Sequence, residues 1–429
     1  MSRSLFAAFC LSLVLLTAGC SNISGLFKDS KPAKTVVAPK DMEAKPVPSK
    51  PAAPLAPAVS ADTTAQILNP PVITPEPVSA EAAAAPVHLA DGKTHVALLL
   101  PLSGKNAALG QAMLNAAQMA VFDLAGDRFE LMPRDTGATA GTAADAARES
   151  ISSGAELLIG PLFASDVAAA KPVVQTSAVN MLALSSDVSL ASPGAYVIGF
   201  APSSLVNRII DYATHKSLYR FSAILPSGAF GRLVQQAFVA EVAKRRGTVV
   251  DIETYGSKAD MERAVKNVMA KKDQIDALFV PAGGPELLQI AALLDSEGFY
   301  QSRLRLLGSG LWDEMPLGKT PILIGGWYAA AEHEAREAFE KRYADTYGQT
   351  PPRLASLAYD ATALAVVLSR RGSFDRVALS NPSGFAGLDG IFRLTPAGTA
   401  ERGLAVHEVT AEGTKIIDPS PSTFVGMNP

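Results

Sequence analysis

At 429 residues and 48% apolar content, the chain is long enough to build more than one hydrophobic core. Its 38 basic and 41 acidic side chains leave a formal charge of -3, and no basic stripe carries interleaved aromatics, so nucleic acid is not an expected partner. Only Cys10 and Cys20 are present, so the folded part must stand without disulfides.

Arg3 precedes an apolar run from Leu5 to Leu16 that only Ser12 interrupts. This is a secretory signal layout over residues 1–19, and the run is too short to cross a bilayer as a mature helix. Thr17-Ala18-Gly19-Cys20 resembles the lipobox of bacterial lipoproteins, which implies cleavage before Cys20 and a lipid on its thiol. An ordinary signal peptide with a coincidental cysteine is the alternative. Ser21 stands where lipoproteins held at the inner membrane often carry Asp, so the resemblance implies the outer membrane.

Residues 20–93 read as a tether. No aromatic residue occurs between Lys28 and His95, and prolines recur from Pro32 to Pro86 among Ala, Val and Lys. Proline removes backbone donors and alanine adds little area to a core, so this tract is expected to be extended and disordered. At about 3.1 Å per residue its reach is on the order of 150–200 Å at most, enough to work within the cell-wall layer.

Composition changes at Thr94. His95 to Leu100 is a short apolar run ending at Pro101, as in a strand buried on both faces, and Leu109 to Leu124 has helical periodicity. Strands are predicted at 129–132, 157–159, 181–184 and 196–198, with helices at 140–152 and 165–175 between them. A second alternating series runs from Phe221 to Leu307, with Ile322 to Ile324 as a further strand. Helices over 332–347 and 354–370 follow, then short strands with glycine turns from Gly387 to Ile417. Such βαβ units build doubly wound parallel sheets, so the expected class is α/β with two lobes.

Several motifs in this order resemble the type I periplasmic-binding (leucine-binding) family. They are the opening strand with Ser103 and Gly104, Asp135 ending the second strand, Gly160-Pro161, Ser185-Ser186, Phe230-Gly231, and a closing run from Phe385 through Gly387, Gly390 and Phe392 to Gly398. The resemblance covers about 94–418 and implies a ligand cleft between the lobes. It places lobe 1 at about 94–202 and 330–372, lobe 2 at about 203–329 and 373–418, and a tail at 419–429. The candidate cleft residues are Ser103, Gly104, Asp135, Gly160, Pro161, Ser185, Ser186, Phe230 and Gly310. Their Gly and Ser lie just after strands, where close backbone approach and hydroxyl bonding suit a ligand, though turns and helix caps use the same residues. Asp135 is expected to orient the first loop rather than to act as an acid or base.

Amino-acid receptors of this family set an acid from the second lobe against the ligand's ammonium. Gly310 falls at that place, with Asp313 and Glu314 as the acids that could substitute. A buried ammonium without an anion is costly, so a free amino acid is a poor expected ligand. This departure and the long tether resemble the lipoprotein branch called penicillin-binding protein activators, which implies a peptidoglycan synthase as partner. The alternative is the solute receptor of an ABC importer for branched-chain amino acids. No G-x-S-x-G elbow, P-loop or H-E-x-x-H occurs and the five histidines are scattered, so neither catalytic residue, cofactor nor metal is expected.

Overall fold

The computed structural model describes residues 91–424, so the signal, Cys20 and most of the tether lie outside the described residues. The first sheet is built from β1 (Thr94–Leu100), β2 (Phe129–Asp135), β3 (Leu157–Ile159), β4 (Asn180–Ala183) and β5 (Ala195–Val197), all parallel in the order 2-1-3-4-5. Helices α1 (Ala107–Leu124), α2 (Ala140–Ser152) and α3 (Ala164–Gln175) connect its strands. The apolar run in β1 has the cause predicted for it. Val96, Leu98 and Leu100 enter the core under α1, while Ala97 and Leu99 enter the opposite core with Ala147 and Val167. Period-2 alternation with both faces apolar explains why residues 96–100 carry no polar side chain.

After α4 (Pro202–His215) the pattern repeats with β6 (Arg220–Pro226), α5 (Ala229–Lys244), β7 (Thr248–Tyr255), α6 (Lys258–Met269), β8 (Ala277–Phe279), α7 (Gly284–Ser296) and β9 (Arg305–Gly308). The next strand is β10 (Trp327–Ala330), giving a parallel order 7-6-8-9-10 that matches the first sheet. Ile322 to Ile324 is not a strand. Pro321–Leu323 forms a 3-10 turn that buries Ile322 and Leu323 in the second lobe's core.

Helices α8 (Glu334–Tyr347) and α9 (Ala355–Ser369) return to the first lobe, where Phe339 and Tyr343 pack on Ala112, Ala116 and Met119 of α1. A short helix, α10 (Arg376–Leu379), leads to an antiparallel sheet of β11 (Phe385–Gly387), β12 (Gly390–Leu394) and β13 (Ala400–Arg402). The segment 373–418 is therefore divided, not wholly in lobe 2 as expected. Phe392, Leu394 and Ala400 join the first core beside Tyr196, Leu357 and Leu364, because β12 alternates its apolar residues onto the face that α9 leaves open. Only β14 (Ala405–Thr410) and β15 (Gly413–Asp418) extend the second sheet, antiparallel to β10. The chain thus passes between lobes three times, near Phe200, Ala331 and Gly403. Among the described residues no helix is long and apolar enough to cross a membrane.

Candidate functional site

In open α/β sheets, ligands sit beyond the carboxyl ends of strands where the strand order reverses. In the first lobe that reversal lies between β1 and β3, and the expected residues lie around it. Asp135, opposite Leu100 at the end of β2, accepts N–H bonds from Leu102 (2.9 Å), Ser103 (3.2 Å) and Gly137 (2.9 Å). Partial burial works against its charge, but the Ser103 hydroxyl and these amides prevail and hold its carboxyl below the usual range. Asp135 thus positions the loop that exposes Ser103 and Gly104. Those two residues line a cavity of about 410 Å³ with Asn106, Phe163 and Asp166. Burial pushes the Asp166 carboxyl up, with the Ser165 hydroxyl donating to it at 3.1 Å.

Gly160 and Pro161 lie buried beside this loop. Gly160 has φ +90°, and a Cβ there would stand 2.1 Å from the Leu99 carbonyl oxygen, so the backbone approach excludes any side chain. Ser185 is also buried and accepts the Asp187 N–H at 3.1 Å, a local turn bond, whereas Ser186 is exposed. Phe230 and Gly310 line a different cavity. The nine expected residues therefore do not converge on one cavity. Ser103 and Gly104 share one, with Asp135 behind their loop, Phe230 and Gly310 share another, Gly160, Pro161 and Ser185 serve the turns between, and Ser186 is exposed.

The second cavity, about 140 Å³, lies where the chain passes between lobes. Phe200, Ala331 and Leu404 bring all three crossings to its wall, and Leu205, Phe230 and Leu311 make it largely apolar. Charged side chains are set into this wall in pairs. Arg353 grips Asp389 through two bonds (2.6 and 3.1 Å) and stacks its guanidinium 4.2 Å from the Phe200 ring centre. Asp313 accepts from Tyr328 Oη (2.9 Å) and Arg336 Nη2 (2.7 Å), and His333 Nε2 lies 2.6 Å away. Burial opposes its ionisation, yet His333 and Arg336 win and hold its carboxyl at about 2. The acid left open at the sequence level thus does reach the cavity, but its own cations already hold it.

His333 continues into a stack, with His407 5.0 Å away and Tyr328 another 5.0 Å beyond. The Asp313 bond raises the His333 imidazole, while burial lowers that of His407. Arg402, on β13, donates from Nη2 to the Ile198 carbonyl at 2.8 Å and lies over the Phe200 ring at 4.9 Å. Asp360, fully buried nearby, has its carboxyl pushed up to about 7 by burial and by the Asp389 charge. Gly387 is required beside it, since a Cβ would meet Asp360 Oδ2 at 2.6 Å.

Asp313 apart, the charged residues of the hinge were missed by sequence reasoning. Among those missed, Asp389 carried a signal, an acid set between the glycines of the closing motif. The two tryptophans behave as core and edge residues. Trp312 is buried and donates to the Val280 carbonyl at 3.0 Å, and Trp327 carries the Arg305 guanidinium on its ring at 4.5 Å. Asp91, His95 and Glu130 also meet at the first sheet's edge, but Lys93 already bonds Glu130 at 2.9 Å.

Comparison with known proteins agrees with this architecture. The periplasmic binding protein family matches residues 93–414. A penicillin-binding protein activator, LpoA of Photobacterium profundum, is 26% identical over 183 residues, 42% of this chain and 29% of that protein. The chain spans less than half the length of the curated relatives it matches. Among solved structures, the LpoA C-domain from Haemophilus influenzae, described as a regulator of PBP1A, superposes with a TM-score of 0.60 at 18% identity. That match covers 76% of this chain and 100% of the C-domain. A branched-chain amino acid ABC transporter periplasmic ligand-binding protein from Burkholderia xenovorans gives 0.60 at 16% identity, covering 78% of this chain and 97% of its own.

Proposed function

Because the chain belongs to the periplasmic binding protein family, we propose that it acts as a lipid-anchored envelope protein that stimulates a peptidoglycan synthase of the penicillin-binding class. The observation that carries this reading is the sequence match to curated activators from two organisms over more than two-fifths of the chain. The cavity supports it from another side. Gly310 offers no acid to an amino-acid ligand, and Asp313 is held by Arg336 and His333. On this reading Cys20 carries the lipid at the outer membrane, and the proline-rich stretch before Thr94 supplies the reach to a synthase across the envelope.

The test is glycan polymerisation by a purified bifunctional penicillin-binding protein, with and without the full chain. Stimulation at stoichiometric amounts is expected, and an unaltered rate together with no detectable complex would overturn the reading. The anchor is checked separately by fractionation. Cys20→Ala should move the protein out of the membrane fraction, and an unchanged distribution would remove Cys20 as the lipid site.

A second reading, the solute receptor of an ABC importer, is favoured by the fold match that covers nearly the whole of a branched-chain amino acid ligand-binding protein. Tight binding of leucine, isoleucine or valine would put that reading first.

A further inference from the structure

Beyond the three crossings, a further stretch of chain joins the lobes. β15 ends at Asp418 in the second sheet, and residues 419–424 run from there back to the first lobe. Arg208 on α4 donates from Nη2 to Asp418 Oδ2 at 2.7 Å and from Nε to the Leu404 carbonyl at 2.7 Å. One guanidinium thus holds the start of this tail beside the third crossing. The Ser420 N–H donates to Glu332 Oε1 at 2.9 Å, just past the second crossing. Pro421 covers Gly403, where a Cβ would stand 2.9 Å from its Cγ. Phe424 then enters the first lobe beside the small sheet and is only 5% exposed. A Cβ on Gly384 would meet its ring at 2.8 Å, and the Arg393 guanidinium of β12 lies 4.8 Å from its ring centre. Two glycines are therefore bare where the tail lies against them.

Segments beyond a last strand fray unless they are tied down, and this one is tied to both lobes. From Asp418 to Phe424 the chain spans about 20 Å at full stretch, so while both ends hold it caps the separation of the lobes on this side. The ends are held unequally. Asp418 belongs to the β14–β15 ladder, whereas Phe424 rests on the Gly384 backbone and the Arg393 guanidinium. Its ring also borders a cavity of about 270 Å³ that α4 and α5 share with β12 and β13, so it can leave its seat without breaking a strand. We propose that residues 419–424 form a releasable strap beside the hinge, docked through Phe424, that limits how far the lobes open. Bending between lobes needs only a few residues at the crossings to change their backbone angles. A link of fixed length beside those residues sets a stop that the crossings themselves do not supply. The strap goes beyond the synthase reading and does not depend on it.

The experiment is a distance measurement between spin labels at Ala168→Cys on α3 and Glu262→Cys on α6, both exposed positions, in the full chain with Cys10 and Cys20 replaced by Ser. Ending the chain at Pro419 should shift the distribution to longer distances by more than about 2 Å, the scale of a rearrangement rather than a side-chain adjustment. Phe424→Ala should do the same, because it frees only the far end of the strap. Phe424→Tyr keeps a ring over Arg393 and should restore the wild-type distribution. If loss of the tail unfolds the protein, Phe424→Ala decides the matter, since it leaves every strand intact. Unchanged distances in either folded variant would overturn the proposal, and so would a Phe424→Tyr distribution as long as that of Phe424→Ala. A lowered melting temperature with unchanged distances would also overturn it, the tail then serving only to cover the small sheet.

Discussion

The buried charges around the hinge differ in what they contribute. Asp389 and Arg353 form a two-bond pair stacked on an aromatic ring, an arrangement in which the mutual attraction offsets much of the desolvation. Asp360 has no such partner. It accepts the Leu388 N–H at 2.8 Å, its other oxygen is unpaired, and burial with the neighbouring Asp389 charge raises its carboxyl to about 7. A carboxyl raised on folding binds a proton in the native state that the unfolded chain has already lost. Its neutral form is accommodated at low pH, and stability declines as pH rises from about 4 to about 7. Asp360→Asn keeps an acceptor for Leu388 and removes the charge. It should therefore stabilise the protein at pH 8, by something on the order of 1–4 kcal/mol, and change little at pH 4. Thermal melts of both proteins across that range provide the check. Equal melting temperatures at pH 8 would show that a neighbouring cation compensates Asp360.

At the scale of elements, β12 shows how a short strand decides which lobe a segment joins. Phe392 and Leu394 are two residues apart and both enter the first lobe's core, while Arg393 between them pairs with Glu401 on β13. Phe392→Ala should cost about 3–5 kcal/mol through loss of the buried ring and the space left behind. Chemical denaturation should show that loss mainly in the first lobe, and a change under 1 kcal/mol would mean that the small sheet is not integral to it. The same element explains why parts of the fold were legible in the sequence and others were not. In β1 every residue from Val96 to Leu100 is apolar because two layers of helices cover it, and that signal is local. For Ile322 to Ile324 the local signal misleads, since three apolar residues fit a buried turn as well as a strand. Trp327 to Ala330 is the real strand and begins just after Gly325 and Gly326. The Gly and Ser residues after β1 and β3 could be found because strand ends announce them. Phe200, Arg353 and Arg402 could not, because they meet across some two hundred residues of chain and none carries a motif of its own.

For the molecule as a whole, the relation between the lobes rests on three chain crossings and on the contacts beside them. Asp313 follows β9 in the second lobe. Its partners His333 and Arg336 stand at the start of α8, whose later residues Phe339 and Tyr343 pack on the first lobe. The cluster is thus a polar latch over the hinge, and its removal should affect both stability and lobe movement. Asp313→Asn leaves Arg336 buried with Glu340 at 3.6 Å and the more distant Asp389 charge, neither of which replaces the 2.7 Å bond to Asp313, so a loss of about 3–5 kcal/mol is expected. The pH dependence has a definite sign. With the folded carboxyl at about 2, below its ordinary value, the Asp313 contribution is full above pH 4 and fades as pH falls towards 2. His333 is shifted upward, so its share is full below its ordinary imidazole range and is lost as pH rises through the higher folded value. The wild type should therefore lose stability at both ends of the range, and Asp313→Asn should lose both dependences together. Small-angle scattering should also show the variant sampling wider lobe separations at neutral pH, since a crossing without its latch is free to bend. If Asp313→Asn melts like the wild type at pH 6 and scatters identically, the three crossings alone fix the lobes, and the cluster serves only to shape the cavity wall.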